Sequence, residues 1–504
     1  MMTESNPRPA QPEKSANSTA TMPAEFGLAT ATFVVIAGMV GAGILTTSGY
    51  TIALVGSNQW MLVLWVLGGL TAVCGALTLA ELCASMPRTG GDYVYLYEAY
   101  GPLPAFLSGW VSFLIGFAGP SAASAFAFAK YTLAPLRSPG VHSALRERIL
   151  ASAAILLFAA IHVSSRRQTA RVQGFITMLT ITCLGAFALS GLSIGWPNSA
   201  NFADRTPLDG KLALTLMSSM VYIYYAYTGW NSAAYLAGEI KDPQRRLPLA
   251  ILLGTALVTV LYLALNVVYG LALSAADIRQ IVNDPSDHEG LEAVAPIAHL
   301  AASRLFGDRW SMPLSFTIGL MLLSTLSAYV LIGPRVAFAM AQAGQFPAFA
   351  ARLTRHAGTP LIATALQVSV ALFLLWTGTQ ETIIVYSGVG LSIFSMLAMS
   401  SIYVLRWRRP DMPRPFRTPG YPVTPAVYLF LTLLLTLATF HDRPRVSVYA
   451  LLSILAGIPF YYGWQAGGRF LDAIWRSTTL SSSESEKSTQ VTHPSSCIEP
   501  TDRA

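Results

Sequence analysis

Long apolar stretches, each about the length needed to cross a membrane, recur along the whole chain. A hydrocarbon layer about 30 Å thick requires about 20 apolar residues in a helix that rises 1.5 Å per residue. This rule predicts twelve spans, numbered 1 to 12 below, which centre near residues 41, 71, 117, 157, 184, 225, 260, 322, 368, 393, 432 and 457. Only 11% of the residues are charged, whereas a soluble domain has about 25%. The sequence therefore predicts an all-α membrane protein.

Two of these spans are interrupted where a membrane helix should be continuous. Span 1, residues 26–55, contains several glycines at 38–43, and span 6, residues 212–237, contains Tyr-Ala-Tyr-Thr-Gly-Trp-Asn at 225–231. Unwinding a helix in lipid frees backbone groups at a cost of several kcal/mol each unless something binds them. Each interrupted span begins a block of five spans, so the breaks occupy matching places. Paired breaks of this kind indicate the substrate site of a secondary transporter; the alternative is that small residues merely let helices pack closely.

The groups freed at the breaks indicate what they would bind. At Gly41, Ala42, Gly43 and Ile44 the outer half of span 1 begins with free N–H groups and a partial positive charge, which suit a carboxylate. The inner half of span 1 ends in free carbonyls, and span 6 offers more around 225–228, which suit an ammonium group. An α-amino acid carries both groups on one carbon, so the pattern predicts an amino acid site.

The distribution of charge predicts the orientation in the membrane. If the N-terminus is cytosolic, the inward loops contain most of the arginines, including Arg166, Arg167, Arg171, Arg245, Arg246, Arg335, Arg406, Arg408 and Arg409. Basic residues favour short cytosolic loops, so both termini are expected in the cytosol of a plasma-membrane protein. One outward loop, Arg137–Arg148, runs against this trend. The net charge of +7 is thus a topology signal, and no basic and aromatic interleaving indicates a nucleic-acid partner.

The absence of charged residues from the predicted site narrows the range of possible substrates. Spans 1, 3, 6, 8 and 10, which would line the site, have no charged residue at their centres. A cationic or acidic side chain would require a buried counter-charge, because an unpaired charge at mid-membrane costs at least about 2.5 kcal/mol. The sequence therefore favours neutral amino acids.

Other functional classes lack their signatures. The chain contains no G-x-x-x-x-G-K-[ST] phosphate loop and no zinc-protease motif, so we expect neither a pump driven by ATP nor an enzyme, and no metal or cofactor. The segments 1–25 and 471–504 are polar and are expected to be disordered cytosolic tails.

Five motifs in order resemble the amino acid–polyamine–organocation superfamily, in its L-type transporter-like and bacterial permease branch. The motifs lie at 38–44 in span 1, 87–93 with 98–101 after span 2, 225–231 in span 6, 239–243 after it, and 414–422 before span 11. The resemblance implies the leucine-transporter fold, an inverted five-plus-five repeat (26–196 and 212–406) with two extra helices (423–466) in a domain of residues 26–470. It also implies a substrate between spans 1 and 6, contacting Tyr225, Ala226, Tyr227, Thr228, Gly229 and Asn231. Tyr225 would cap the substrate, and Asn231 would shape the pocket.

Ion coupling remains open at the level of sequence. Many members of this family have a lysine in span 5 that is tied to proton coupling, and Thr180 stands there in this chain. Ser324 and Thr325 of span 8 are candidate ligands for a coupling Na⁺, although such hydroxyls usually bond to their own helix. Coupling to H⁺ or Na⁺ and exchange without an ion are all compatible with the chain.

Some relatives in this family are linked by a disulfide to a partner glycoprotein through a cysteine after span 3. Residues 131–147 contain no cysteine, so we expect no disulfide-linked partner, and the expected contacts are the substrate and the lipid bilayer. The alternative from another class is a nutrient sensor that binds an amino acid without moving it.

Overall fold

The computed structural model is a bundle of helices. It describes residues 26–133, 143–203, 206–284, 290–354 and 358–464; both predicted tails lie outside these residues. Within the described part, nine helices are long and apolar enough to cross a membrane, those at spans 1, 2, 3, 5, 7, 8, 10, 11 and 12. The remaining predicted centres, in spans 4, 6 and 9, also fall in helices. The prediction of an all-helical, multi-pass membrane protein is confirmed.

The helices follow the order of the predicted spans. Those of spans 1 to 6 are Leu28–Met39 with Ala42–Val55, Asn58–Ser85, Pro102–Leu133, Ser143–Ser164, Arg166–Gly195, and Gly210–Tyr227 followed by a 3₁₀ segment, Ser232–Glu239. Those of spans 7 to 12 are Pro243–Ala272, Asp308–Gln342, Leu361–Thr377, Gln380–Arg408, Val423–Asp442 and Pro444–Trp464. Short connecting helices include Asp92–Tyr100, Ala275–Val282 and Ile297–Phe306.

Both predicted interruptions are real breaks in the helices. In span 1, Val40 and Gly41 have extended or irregular backbone angles between the two helical halves. In span 6 the α-helix ends at Tyr227, Thr228 is extended, and Gly229 has a φ of +103°. A residue with a Cβ is strained at such an angle, which explains why glycine stands at the turn.

Two buried carboxylates, Glu239 and Glu81, form ion pairs that tie the ends of several helices together. Glu239, which ends span 6, is 2.7 Å from Arg335 of span 8, and both side chains are almost wholly buried. Glu81 of span 2 is 2.6 Å from Arg406 and 3.5 Å from Arg414. The pairing of Glu81 arises because the fold brings the end of span 10 against span 2.

The start of span 1 is attached to the end of span 6 by backbone hydrogen bonds. The N–H of Phe26 donates to the carbonyl of Glu239 at 2.8 Å, and the N–H of Lys241 donates to the carbonyl of Phe26 at 2.9 Å. Together they form an isolated parallel bridge between Phe26 and Ile240. The inner halves of both broken spans are therefore joined where the chain enters the bundle.

Replacing Arg335 by Met should be strongly destabilising, because it leaves the carboxylate of Glu239, only 2% exposed, without its partner. Losing one member of a buried pair costs about 3–5 kcal/mol. The double variant Arg335→Met/Glu239→Gln should recover much of that loss, measured as unfolding free energy in detergent. Arg88→Met is the matched control, since Arg88 pairs with Glu98 but is 60% exposed and should cost at most about 1 kcal/mol. Equal losses in the two single variants would contradict this account.

Candidate functional site

The two breaks lie directly against each other in the centre of the bundle. A Cβ built on Gly43 would lie 2.4 Å from the Cα of Ala226, and one built on Gly38 would lie 2.9 Å from the carbonyl oxygen of Gly229. These distances are shorter than side chains allow. Glycine at these positions therefore lets the backbones of spans 1 and 6 meet at their broken segments.

The carbonyls at the end of the inner half of span 1 accept hydrogen bonds from neighbouring hydroxyls. Those of Gly38 and Val40 accept from Tyr329 and Thr325 of span 8. That of Met39 accepts from the hydroxyl of Tyr262 at 2.6 Å. These carbonyls were expected to be free, and that expectation is wrong, because spans 7 and 8 place three hydroxyls at the break.

Tyr262 connects the two breaks. Its hydroxyl lies 2.6 Å from the carbonyl oxygen of Met39 in span 1 and 3.1 Å from that of Ala226 in span 6. Its ring is fully buried and packs on Trp65 and Tyr227, with ring centres 5.5 and 5.1 Å away. One side chain of span 7 thus stabilises freed backbone groups in both broken helices.

The outer half of span 1 begins without a cap. Gly41 occupies the N-cap position and has no side chain that could cap the helix. Among the described residues, no hydrogen bond is found for the backbone N–H groups of Ala42, Gly43 and Ile44. All three residues are buried. A buried helix start that lacks partners is unusual, and it presents donors and positive potential to an anion.

A small cavity adjoins the break in span 6. Its volume is about 30 Å³, room for about two water molecules, so a solute requires the walls to move apart. Spans 3, 6, 8 and 10 supply most of the lining, which includes Phe117, Tyr224, Thr228, Gly229, Trp230, Asn231, Tyr235, Tyr329, Phe394 and Ser395.

The predicted site residues do not form one cluster. Thr228, Gly229 and Asn231 line the cavity. Gly43 and Ala226 meet at the contact between the breaks, whereas Gly41 lies against Thr325 of span 8. Ala42 and Ile44, on either side of Gly43, are buried. Tyr225 is buried near span 10, since a Cβ built on Gly388 would lie 3.9 Å from the Cβ of Tyr225. Tyr227 points elsewhere, since its hydroxyl donates to the carbonyl of Trp65 in span 2 at 3.2 Å.

Asp92 is a cavity residue that sequence reasoning missed. It begins the short helix Asp92–Tyr100 between spans 2 and 3, so the survey of span centres passed over it. Its Oδ2 accepts from the side-chain amide of Asn231 at 3.0 Å and from the hydroxyl of Tyr235 at 3.2 Å. The signal in the sequence was the motif at 87–93, which contains the acid immediately after two glycines.

The candidate coupling residues lie where spans 5 and 8 meet span 1. Thr180 donates to the carbonyl of Ile176 in its own helix at 2.9 Å. The hydroxyl of Ser324 lies 3.1 Å from that of Thr177, while Thr325 bonds to the break at Val40. Ser324 and Thr325 therefore contact different neighbours, span 5 and span 1 respectively.

A polar network joins several spans at the end of the bundle opposite the Glu239–Arg335 pair. Glu292, between spans 7 and 8, accepts from Lys130 of span 3 at 2.7 Å and from Tyr50 of span 1 at 3.2 Å. It also accepts from the backbone N–H of Glu381, at the start of span 10. Lys130 is thus held in an ion pair with Glu292. Glu381 in turn accepts from Tyr222 of span 6 at 2.7 Å.

Comparisons with other proteins point to one family. A sequence model described as amino acid permease matches residues 26–459. The chain is 28% identical over 473 residues to the large neutral amino acids transporter small subunit 2 of Mus musculus, covering 90% of this chain and 84% of that protein. It is 28% identical over 467 residues to the Asc-type amino acid transporter 1 of Mus musculus, with 90% and 82% covered. The cystine/glutamate transporter of Homo sapiens is 26% identical over 430 residues, with 85% and 83% covered.

Replacing Tyr262 by Phe should lower stability, because it removes one hydroxyl from two carbonyls in a dry interior. Hydrogen bonds between membrane helices contribute about 0.5–2 kcal/mol, so the melting temperature in detergent should fall measurably. Tyr449→Phe is the matched control, since that ring is 61% exposed and its loss of a hydroxyl should leave melting unchanged. If both variants melt like the wild type, Tyr262 does not hold the breaks together.

Proposed function

The chain belongs to the amino acid permease family, whose members are transporters and not enzymes, and we propose that it carries neutral amino acids across the plasma membrane by alternating access. The observation that carries this proposal is the contact between two helix breaks beside a small cavity. A relative named for large neutral amino acids supports the substrate class. So does the lack of charged residues at the centres of spans 1, 3, 6, 8 and 10.

In this proposal the protein has twelve transmembrane helices in the leucine-transporter fold. The helices Ser143–Ser164, Gly210–Tyr227 and Leu361–Thr377 complete the nine candidate spans. Residues 26–196 and 212–406 form the two inverted repeats, 423–466 the extra helices, and 1–25 and 471–504 the cytosolic tails. The support is the matching position of the breaks, each at the start of its repeat.

The substrate would bind where the two breaks meet. Its carboxylate would accept from the N–H groups at Ala42, Gly43 and Ile44, which have no other partner among the described residues. Its ammonium group would donate to carbonyls of the two breaks. Those of span 1 already accept a hydroxyl, but a carbonyl oxygen has a second lone pair. The side chain would extend past Tyr225 and Thr228 toward Asn231.

Alternating access requires that the closures on the two sides open in turn. The outer network around Glu292 and the inner pair of Glu239 and Arg335 are each built from residues of several spans. Both are formed here and the cavity between them is small, as in an occluded conformation. In the proposed cycle, binding at the breaks lowers the cost of breaking one closure or the other.

Coupling and partners complete the proposal. Thr180, Ser324 and Thr325 remain candidates for a coupling cation, and exchange without an ion is the alternative. One relative is named as a small subunit. We propose that this chain acts without a disulfide-linked partner, because residues 131–147 lack cysteine.

Transport into proteoliposomes tests the function. Purified protein should take up a labelled neutral amino acid in counterflow, in a screen of the standard amino acids with and without pH and Na⁺ gradients. Binding without uptake would favour the sensor alternative. If the protein neither binds nor takes up any amino acid, the proposal is refuted.

Gly43→Val should abolish amino acid binding while membrane insertion stays intact. The new side chain would meet the backbone of Ala226 at 2.4 Å and push the breaks apart. Gly185→Val is the matched control, because a Cβ there meets nothing within 4 Å. Both variants should elute as monodisperse protein. If Gly43→Val binds substrate like the wild type, the site does not lie at span 1.

A further inference from the structure

Asp92 is a buried carboxylate at the break in span 6 that forms no ion pair among the described residues. Its side chain lies in the wall of the cavity at the span 6 break, and the residue is 6% exposed. Two donors, Asn231 and Tyr235, reach its Oδ2. Its Oδ1 is buried and has no hydrogen-bond partner.

No positive charge compensates this acid in the part of the chain that the structure describes. The ion pairs found there involve other carboxylates, namely those of Glu81, Glu98, Glu239, Glu292, Glu381 and Asp442. The titratable groups that lie close enough to Asp92 to feel its charge are the phenols of Tyr95, Tyr224, Tyr235 and Tyr428 and the thiol of Cys83. Phenols and thiols are ordinarily neutral at pH 7, so none supplies a counter-charge.

Burial favours the protonated form of the Asp92 side chain. It raises the pKa of Asp92 to about 6, while the hydrogen bonds from Asn231 and Tyr235 act in the opposite direction. The carboxyl is therefore largely protonated below that pH and ionised above it. The neighbouring Glu98, six residues along the same helix, behaves differently, since Arg88 and Arg409 hold its pKa below the usual value.

The groups around Asp92 favour a proton over a metal cation. A hard metal cation takes about six oxygen ligands, whereas Asn231 and Tyr235 turn N–H and O–H hydrogens toward Asp92. A proton requires only the unpartnered Oδ1.

We propose that Asp92 is a proton-binding residue of this transporter and that it passes its protonation state to the substrate site through Asn231. The inference rests on the proposed function, since it assumes that Asn231 faces a bound amino acid. The ionised carboxylate holds the Asn231 amide by a charge-assisted hydrogen bond, which is about twice as strong as a neutral one. A proton added to Oδ1 leaves a neutral acid that holds Asn231 more weakly. The amide is then available to the substrate.

Protonation of Asp92 should strengthen the binding of the amino acid. Amino acid affinity should be higher near pH 5 than near pH 7.5, by at least about fivefold, a coupling typical of linked sites. By reciprocity, substrate binding near pH 6 should draw protons from a weakly buffered solution. Asp92→Asn resembles the protonated acid, so its affinity should be independent of pH over this range.

The experiment measures binding of the amino acid selected by the counterflow screen, at a series of pH values, with proton uptake recorded in parallel. Glu98→Gln is the matched control on the same helix and should keep the wild-type pH profile. Proton uptake by the wild-type protein tests the proposal without any variant. Thermal melting of each variant verifies that it is folded.

Two kinds of failure are distinguishable. If the wild type binds an amino acid with the same affinity at both pH values, or if Asp92→Asn keeps the pH dependence, the role of Asp92 is refuted and the proposed function stands. Preferential binding of a basic amino acid that Asp92→Asn abolishes would make Asp92 a counter-ion for substrate and refute the proton site. If no amino acid binds at any pH, both proposals fall.

Discussion

Hydrogen bonds from side-chain hydroxyls to broken-helix carbonyls are the interaction on which the centre of this protein depends. Backbone groups that lack partners at membrane depth cost several kcal/mol each, and two helices are broken there at once. The hydroxyl of Tyr262 stabilises both breaks, because it donates to the carbonyls of Met39 and Ala226. Tyr329 and Thr325 complete the set on span 1. Neither break is stable in isolation, because each relies on helices outside its own span.

At the first break the acceptors and the donors of the backbone differ in how well they are satisfied. The carbonyls at the first break have hydroxyl partners, whereas the N–H groups that start its outer half have none among the described residues. In the proposed function these N–H groups would bind the α-carboxylate, which every amino acid carries together with its α-ammonium group. Discrimination between side chains would then depend on the cavity walls supplied by spans 3, 6 and 10.

Local patterns in the sequence were sufficient to predict the helices and the positions of their breaks. Apolar length places each span, and glycine at 41, 43 and 229 marks where a helix must end or where backbones must touch. Partners distant in sequence were not accessible in this way. The pairing of Glu81 with Arg406 joins residues 325 positions apart, and no local pattern encodes it. Asp92 was missed for a related reason: it enters the cavity from a connecting helix, which a survey of span centres does not include.

The bridge between Phe26 and Ile240 has a mechanical consequence. Two short backbone hydrogen bonds fasten the entry point of the chain to the inner piece of the second fractured helix, beside the buried Glu239 and Arg335. The inner pieces of both fractured helices are thereby coupled, so that in the proposed transport cycle a rotation of one would carry the other with it.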